Sequence, residues 1–341
     1  LVCHDTTGLY SKAKPNGGLP ETSTEDLQLV AQAVGSPRRN NCGFCHYKAG
    51  GGDNVKHGDL STDMNDPLFA SDVHMATLGM NFTCQRCHTV MDHKIAGMPI
   101  HSQDEGKVAC TDCHSATVHA DAGASSQYDS HAAKVACQTC HIPTFARVLP
   151  TKTLWDWSEA GMDVDPIPVD QYGKPLYDKM KGVFEWGKFV EPALRWYDGK
   201  WARLTVGDDD QRSGKLVTLG APTATRMTPG AKIYPFKRMV GTQMRDAGNN
   251  TMLVPHLFGT AGGPTPYWGN WDWNAALVEG AAAAGQTYTG MFEWVDTEMF
   301  LTVNHEIAPK EEARTCSDCH GGGIDFTALG YSGDPIGGLT R

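Results

Sequence analysis

One short pattern, C-x-x-C-H, recurs five times along the chain and constrains the fold more than any other feature. Two cysteine thiols at this spacing can add to the vinyl groups of a porphyrin, and the histidine that follows can bind its iron. Each copy is therefore an attachment signature for c-type haem, and the chain predicts at least five covalently bound haem groups. The copies are Cys42, Cys45 and His46; Cys84, Cys87 and His88; Cys110, Cys113 and His114; Cys137, Cys140 and His141; and Cys316, Cys319 and His320.

Zinc binding and disulfide bonding are the two alternative uses of paired cysteines. Zinc sites combine two pairs, or one pair with spaced histidines, and do not require a histidine directly after every second cysteine. Disulfides that close two-residue gaps would constrain little of the unfolded chain and would leave the five adjacent histidines without a role. Haem attachment therefore accounts for the pattern best. Because haem is attached to such motifs outside the cytoplasm, we expect a periplasmic, cell-surface or extracellular protein.

Each haem iron needs a second axial ligand, and the chain has enough spare histidines to supply it. With His4 set aside, eight histidines lie outside the five motifs. Methionine is the alternative ligand, with Met75, Met80, Met91 and Met98 as candidates, but histidine is in surplus. Bis-histidine ligation predicts low-potential haems suited to electron transfer. The candidate distal ligands are His57, His74, His93, His101, His119, His131, His256 and His305.

Composition excludes several classes of partner and of fold. The formal net charge is -10 and no block of lysine or arginine occurs, so nucleic acid is not an expected partner. No apolar run approaches the roughly 18 residues that span a bilayer. The 38 glycines and 19 prolines indicate a loop-rich chain. We therefore predict a multihaem cytochrome c fold in which a mostly irregular and α-helical chain wraps around a haem core, with little β-structure beyond one or two hairpins.

Motif density divides the chain into three predicted segments. Residues 1–145 form a haem-dense region, residues 146–265 an aromatic-rich insertion without haem, and residues 266–341 a helical segment with the C-terminal haem site. Within the insertion, LRWYDGKWARL places Asp198 and Gly199 between two aromatic arms, which predicts a type I′ hairpin.

Two helices are predicted in the third segment. Residues 272–284 begin at an Asp or Asn cap and are rich in alanine, which favours a helix. A second helix is predicted over 289–304, and it would deliver His305 near its end. The tryptophans of the chain are expected to pack against haem faces and against one another rather than to relay electrons.

Cys3 is the one cysteine outside the five pairs. It is followed by His4, so the two residues have the form of the end of a C-x-x-C-H motif whose first cysteine would precede residue 1. A free thiol or an intermolecular disulfide is the alternative role for an odd cysteine. Because the second cysteine of every pair is also followed by histidine, we interpret Cys3 and His4 as part of a sixth haem site.

Longer stretches of the sequence resemble octahaem tetrathionate reductase and its relatives among the multihaem cytochromes c. The resemblance covers nearly the whole chain and rests on CHDTTGLY, CGFCHYKAGGGDNVKHGDL, SDVHM, GVFEWGKFVEPALRWYDG, IYPFKRMVGTQ and NHEIAPKEEARTCSDCHGGGIDF. The family has eight motifs where this chain has five and a half. The resemblance therefore implies up to eight haems in the full protein, with at least two beyond the ends of this chain.

The resemblance also implies one unusual site. In that family, a haem attached through an ordinary C-x-x-C-H motif is bound at iron by a lysine from elsewhere, which leaves its other face open for substrate. Lys56 in VKHGDL matches that lysine, and we expect it to serve the haem at Cys3. The expected catalytic residues are then Lys56, Cys3, His4 and Asp5, and the candidate proton donors are Asp5, Tyr10 and His57.

Two functions are compatible with these observations. The first is an extracytoplasmic reductase that passes electrons through bis-histidine haems to a haem bound by Lys56. There a small oxyanion or nitrogen compound is reduced, and the resemblance implies tetrathionate, nitrite or hydroxylamine. Its partner would be an electron-donor cytochrome or a quinol-linked donor. The second is a non-catalytic electron conduit, or a surface or filament cytochrome, in which one subunit of a homo-oligomer completes the haem ligation of the next.

Overall fold

The computed structural model describes residues 2–11, 23–97, 108–210, 216–259 and 266–336. The chain divides into two compact units. Unit 1 comprises Leu1–Leu149, Lys188–Glu191 and Val303–Ile324, and unit 2 comprises Pro150–Gly187, Pro192–Thr302 and Asp325–Arg341. The five complete motifs and the Cys3–His4 pair all belong to unit 1.

Unit 1 consists of short helical turns joined by irregular segments. One of its buried apolar clusters holds only Ile142, Phe145, Ala146 and Val303, with Val190 and Ile307 packed against it. The helices are α1 (Thr24–Gln32), α2 (Arg39–His46), α3 (Val118–Asp121), α4 (Ser126–His131) and α5 (Cys137–His141). Single 3-10 turns span Thr62–Asn65, Cys84–Arg86, Cys110–Asp112, Lys310–Glu312 and Cys316–Asp318, and a hairpin joins β1 (Val90–Met91) to β2 (Lys94–Ile95).

Unit 2 is built on an eight-stranded mixed sheet. Its strands are β3 (Thr151–Asp156), β4 (Tyr177–Asp178), β5 (Gly182–Gly187), β6 (Ala193–Tyr197), β7 (Trp201–Arg203), β8 (Leu216–Pro222), β9 (Lys232–Asp246) and β10 (Phe292–Thr302). They lie in the order β4-β5-β3-β9-β10-β8-β7, and β6 pairs with β9 beside this path. The β9–β10 pair is antiparallel, whereas β3 with β9 and β10 with β8 are parallel. The described part of unit 2 also contains the helices α6 (Tyr267–Asn270) and α7 (Trp273–Ala283).

This sheet shows that the predicted fold class is wrong. Helices account for 21% and strands for 23% of the structure, so the chain is not mostly helical with little β-structure. The physical reason lies in the burial of β9, where residues 233–237 are buried in succession. A strand covered on both faces has no alternation of polar and apolar residues, so its sequence lacks the usual period-two pattern.

The predicted hairpin around Asp198 and Gly199 is also wrong. Both of its arms are strands, β6 and β7, but they do not pair with each other. β6 pairs with β9 and β7 pairs with β8, both antiparallel. The chain therefore has two strands on either side of Asp198 and Gly199, but longer-range contacts within the sheet determine which strand each of them pairs with.

The two predicted helices have opposite outcomes. Helix α7 is confirmed, because it begins after Asp272, whose side chain accepts a hydrogen bond from the backbone N–H of Ala275. The helix predicted over 289–304 is wrong, because that stretch forms β10 between β9 and β8. Its sequence, FEWVDTEMFLT, is rich in aromatic and β-branched residues that suit a sheet.

Tryptophan side chains of unit 2 pack against one another and against tyrosine. The Trp155 and Trp157 rings stack with centroids 4.9 Å apart, and Tyr267 stacks on Trp273 at 3.5 Å. Trp294 meets Trp273 edge to face at 5.5 Å. These contacts give unit 2 an aromatic core. Within the described part of the chain, no helix is both long enough and apolar enough to cross a bilayer.

Candidate haem-binding sites

Each complete motif folds as one helical turn. We number the sites in chain order: site 1 at Cys3–His4, site 2 at Cys42–His46, site 3 at Cys84–His88, site 4 at Cys110–His114, site 5 at Cys137–His141 and site 6 at Cys316–His320. In sites 3, 4 and 6 the N–H of the motif histidine donates to the carbonyl of the first cysteine at 2.8–2.9 Å. Because residues four apart lie on one face of a helical turn, that cysteine and the histidine point the same way. All eleven cysteines lie in the described part of the chain and lack a disulfide bond.

Among the described residues, five of the six motif histidines face a second histidine at a nearly constant distance. Two imidazoles on opposite sides of one iron, each at a metal–nitrogen distance of ~2 Å, would have ring centroids roughly 6 Å apart. The donor set and its spacing therefore fit bis-histidine haem sites. The centroid separations are 6.1 Å for His4 and His93, 6.2 Å for His88 and His305, 6.0 Å for His114 and His74, 6.1 Å for His141 and His119, and 6.3 Å for His320 and His131.

Several of these histidines are oriented by a hydrogen bond at Nδ1. An acceptor at Nδ1 requires the proton there and leaves Nε2 as the nitrogen that can bind iron. The Nδ1 acceptors are the Gly35 carbonyl for His4 at 2.9 Å, the Ala96 carbonyl for His88 at 2.9 Å, Asp129 for His119 at 2.8 Å and Asp59 for His305 at 3.2 Å.

His93 reaches His4 from the tip of the β1–β2 hairpin. Met91 and Lys94 pair across the hairpin, so the loop consists of Asp92 and His93 alone. Both loop residues have positive φ, 49° and 62°, as a type I′ turn requires. The tight turn therefore fixes the position of His93 at the end of the hairpin.

Two buried aspartates position other distal histidines. Asp59, 2% exposed, accepts hydrogen bonds from the backbone N–H groups of Asn304 and His305. Burial raises the pKa of Asp59, but the hydrogen bond and charge of His305 outweigh this and lower it below its usual value. Asp72 accepts from the N–H groups of His74 and Glu306, and it thereby joins the segments that carry His74 and His305.

Lys56 lies within electrostatic range of site 2. Lys56 and His305 both interact electrostatically with the His46 imidazole. Gly50, at a φ of 80°, allows the Gly-rich loop to fold closely over Lys56, because a Cβ at Gly50 would lie 2.9 Å from the Lys56 Cβ. This arrangement differs from the expectation that Lys56 serves the haem at Cys3, because His4 faces His93. The reason is that the β1–β2 hairpin brings His93 to site 1.

The other expected residues of site 1 make local contacts. Asp5 accepts hydrogen bonds from Thr7 and from the N–H of Tyr10 at 3.2 Å. Burial raises the pKa of Asp5, but these hydrogen bonds outweigh it and lower the pKa overall. The carboxylate therefore closes a turn directly after His4.

Two expected distal ligands in the described part of the chain, His57 and His256, lie outside the five pairs. His57 interacts electrostatically with Asp59. His256 belongs to unit 2, which carries no motif, and its Nδ1 hydrogen bonds to Glu279 at 2.8 Å. His101 lies outside the described residues.

Consecutive sites are linked by direct contacts at the start of the series. Asn41, at the first turn of α2, donates to the carbonyls of Val2 and Asp5 at 2.8 and 2.9 Å and so joins site 1 to site 2. The thiols of Cys42 and Cys84 interact with each other, so sites 2 and 3 adjoin as well.

The later sites are linked in the same order. The N–H of Val108, just before site 4, donates to the carbonyl of Cys87 in site 3 at 3.1 Å. His141 of site 5 interacts electrostatically with His114 and His74 of site 4. Cys140 of site 5 likewise interacts with Cys316 and Cys319 of site 6. The six sites therefore form one continuous series in chain order.

Sequence reasoning missed the residues that orient the histidines. Asp59, Asp72, Asp129 and Asn41 were not singled out, although Asp59 and Asp72 lie within two residues of His57 and His74. The position of Asp72, two residues before the candidate ligand His74, was a signal that it could orient this histidine. No local signal pointed to Asp59, because the histidine that it orients is His305.

Comparison with known proteins gives consistent results. The bacterial cytochrome c family model matches residues 152–323. Octaheme cytochrome c from Shewanella oneidensis has a crystal structure that is similar to this chain, with 41% sequence identity and a TM-score of 0.88. The match covers 98% of this chain and 76% of that one. No curated protein matches the chain.

Proposed function

The chain belongs to the octahaem cytochrome c family of bacterial cytochromes c, and on that premise we propose that it is part of an extracytoplasmic multihaem reductase. Its paired histidines would hold a row of haem groups, and Lys56 would bind the iron at which a small oxyanion or nitrogen compound is reduced. Haem c supplies one-electron transfer when it is bound. The candidate substrates are tetrathionate, nitrite and hydroxylamine, by the family resemblance.

The observation that supports electron transfer most directly is the set of five histidine pairs, with ring centroids 6.0–6.3 Å apart. Two imidazole ligands close both faces of an iron, which suits electron transfer rather than substrate binding. The contacts between consecutive sites keep these pairs close together in one series. An electron entering at either end would therefore have a continuous route.

Lys56 supports the assignment of a substrate site. Within the described residues, the five pairs include the other motif histidines but not His46, and the charge of Lys56 acts on His46. In this proposal Lys56, as a neutral amine, would hold the iron of the haem at site 2, and that haem would supply the electrons that reduce the substrate. An amine is a different axial donor from imidazole, and axial ligand identity is a main control on haem reactivity.

The proposal includes a location and partners. Haem attachment to C-x-x-C-H motifs implies a periplasmic, cell-surface or extracellular protein. An electron-donor cytochrome or a quinol-linked donor would deliver electrons, and a homo-oligomer is compatible with this arrangement.

Replacement of Lys56 tests the reductase proposal. The full-length, haem-loaded Lys56→Ala variant should lose most turnover of nitrite, hydroxylamine or tetrathionate with a reduced dye as donor, while its haem count by intact mass is retained. Lys48→Ala is the matched control, because Lys48 is exposed and belongs to the same glycine-rich stretch. Turnover by Lys56→Ala equal to that of the control would reject the proposal.

An electron conduit is the second candidate, and the five closed histidine pairs favour it. A conduit would show wholly low-spin haem and no spectral change on addition of any of the three substrates. A reductase would show a high-spin component that shifts when its substrate binds.

A further inference from the structure

The histidine pairs differ in the group that accepts the hydrogen bond from Nδ1. In two pairs the acceptor is a carboxylate: Asp59 accepts from His305 of site 3, and Asp129 accepts from His119 of site 5. In site 1, by contrast, the backbone carbonyl of Gly35 holds His4 at 2.9 Å. The ring of His88, the partner of His305, is likewise held by a carbonyl, that of Ala96.

The two carboxylates hold their histidines by the same geometry. Asp59 Oδ2 accepts from the His305 backbone N–H at 3.0 Å and from the ring Nδ1 at 3.2 Å. Asp129 Oδ1 accepts from the His119 backbone N–H at 3.1 Å and from the ring Nδ1 at 2.8 Å. Each carboxylate also accepts the N–H of a neighbouring residue, Asn304 or Ala120. One aspartate thus fixes both the main chain and the ring of each histidine.

Asp59 is buried, and Asp129 is partly exposed. The Asp59 side chain is 2% exposed and the Asp129 side chain is 9% exposed. A hydrogen bond to an ionised acceptor is roughly twice as strong as one to a neutral carbonyl, and it is screened less where water is excluded.

The chemical effect of such a bond acts on the other ring nitrogen. A carboxylate that accepts the Nδ1 proton makes the imidazole more basic at Nε2. A more basic axial ligand stabilises oxidised iron relative to reduced iron, because the oxidised iron carries more positive charge. Hydrogen bonding around an axial ligand is accordingly one of the means by which a protein sets a haem potential.

We propose that Asp59 and Asp129 are positioning residues that lower the reduction potentials of sites 3 and 5. The inference rests on the proposed bis-histidine ligation and deepens it, because it assigns an order of potentials to the series. Site 4 lies between these two sites, so an electron moving along the chain meets two low-potential sites with a higher one between them.

Asp72 offers an internal comparison. Its carboxylate is also buried and also lies beside a distal histidine, but it accepts from the backbone N–H of His74 and not from the ring. Removal of this charge therefore tests the effect of a nearby negative charge alone. Removal of the Asp59 or Asp129 charge tests the same effect together with the ring hydrogen bond.

The experiment measures the potential of each haem in full-length, haem-loaded protein. Spectroelectrochemical titrations, with paramagnetic resonance to separate the haems, would compare wild type with Asp59→Asn, Asp129→Asn and Asp72→Asn. We expect an upward shift of one midpoint potential in each of the first two variants, and a smaller shift in Asp72→Asn. Haem count and low-spin signals should be unchanged.

A second measurement uses wild-type protein alone and covers the case in which a variant does not fold. The near-infrared magnetic circular dichroism band of oxidised bis-histidine haem moves to shorter wavelength as an imidazole gains imidazolate character. At least two haems of the protein should show this displacement.

Two results overturn the inference in distinguishable ways. In the first, the haems are bis-histidine, but the potentials in Asp59→Asn and Asp129→Asn shift no more than in Asp72→Asn, or no infrared band is displaced. The tuning role is then rejected and the proposed function stands. If the haems at sites 3 and 5 are not bis-histidine, the ligation on which both proposals rest is rejected.

Discussion

The imidazole rings of His4 and His93 face each other with centroids 6.1 Å apart, although the two residues lie 89 positions apart in the sequence. His93 reaches this position from a two-residue hairpin loop whose residues both have positive φ. From this relationship we predict that His93 is the distal ligand at site 1.

Replacement of His93 should therefore remove the distal ligand of the haem at site 1. In His93→Ala we expect a new high-spin component in the oxidised spectrum, with an unchanged haem count by intact mass, because covalent attachment does not depend on the distal ligand. His256→Ala is the control, since His256 belongs to unit 2 and bonds to Glu279. A wholly low-spin spectrum for His93→Ala would contradict the pairing.

Gly43, inside the motif of site 2, should not tolerate a side chain. A Cβ at this position would lie 2.0 Å from Cε2 of Tyr47, whose ring is 3% exposed. The Tyr47 ring, at the C-terminal end of α2, would have to move, and overpacking of this kind typically costs about 1–3 kcal/mol. We expect Gly43→Ala to lower the thermal unfolding midpoint and haem occupancy at site 2. Gly333→Ala, which meets no atom within 4 Å, is the control, and equal midpoints for the two variants would refute the prediction.

Arg39 should be needed for the segment that carries His74. Its buried guanidinium donates to the carbonyls of Phe82 and Asn65 and to Asn81 Oδ1, all at 2.7–3.1 Å. An ammonium group cannot reproduce this planar set of donors, so Arg39→Lys would leave buried carbonyls without a hydrogen bond.

The expected loss is roughly 2–4 kcal/mol of unfolding free energy. Urea unfolding followed by circular dichroism would measure it, and the low-spin signal of site 4 should weaken in parallel. Arg203→Lys, at an exposed position of β7, should behave as wild type. Equal stability of the two variants would show that the Arg39 contacts are dispensable.

Lys152 should make the stability of unit 2 depend on pH near neutrality. Its side chain is 4% exposed, and Nζ lies 4.0 Å from the Trp155 centroid and 3.1 Å from that of Phe184. Burial, followed by the charge of Lys181, lowers the pKa of Lys152 to about 7. The pKa in the unfolded chain is ~10.4, so between these values the unfolded chain holds a proton that the folded chain has lost. Stability from this group therefore rises with pH through that window.

The Lys152→Met variant isolates this effect. Above pH 7, the unfolding free energy of wild type should rise relative to Lys152→Met by up to ~1.4 kcal/mol per pH unit. Urea unfolding at about pH 6 and at about pH 9 would measure the difference. Lys200→Met, at an exposed lysine of the same unit, should show no such change, and a constant difference between Lys152→Met and wild type would exclude the assigned titration.

The sequence by itself determined the local chemistry of the protein. Attachment motifs act within a single helical turn, so the spacing in CQRCH or CSDCH specifies the cofactor class without knowledge of the rest of the fold. Helix α7 was predictable for the same reason, because Asp272 caps it within its own first turn.

Tertiary structure alone decided which histidine meets which motif. His93 and His119 each follow a motif histidine by five residues, yet they pair with His4 and His141 rather than with those neighbours. A distal ligand must approach the iron from the face opposite its motif, so it comes from a segment that the fold places there.

The same reason applies to the sheet and to the orientation of ligands. The sequence of β10 does not show that the segment is a strand, because the strand is stabilised by pairing with β9 and β8, which come from other parts of the chain. Asp59 orients His305, which lies 246 positions away. Local sequence specifies what a residue can bind, whereas its partner depends on packing between segments that are distant in the chain.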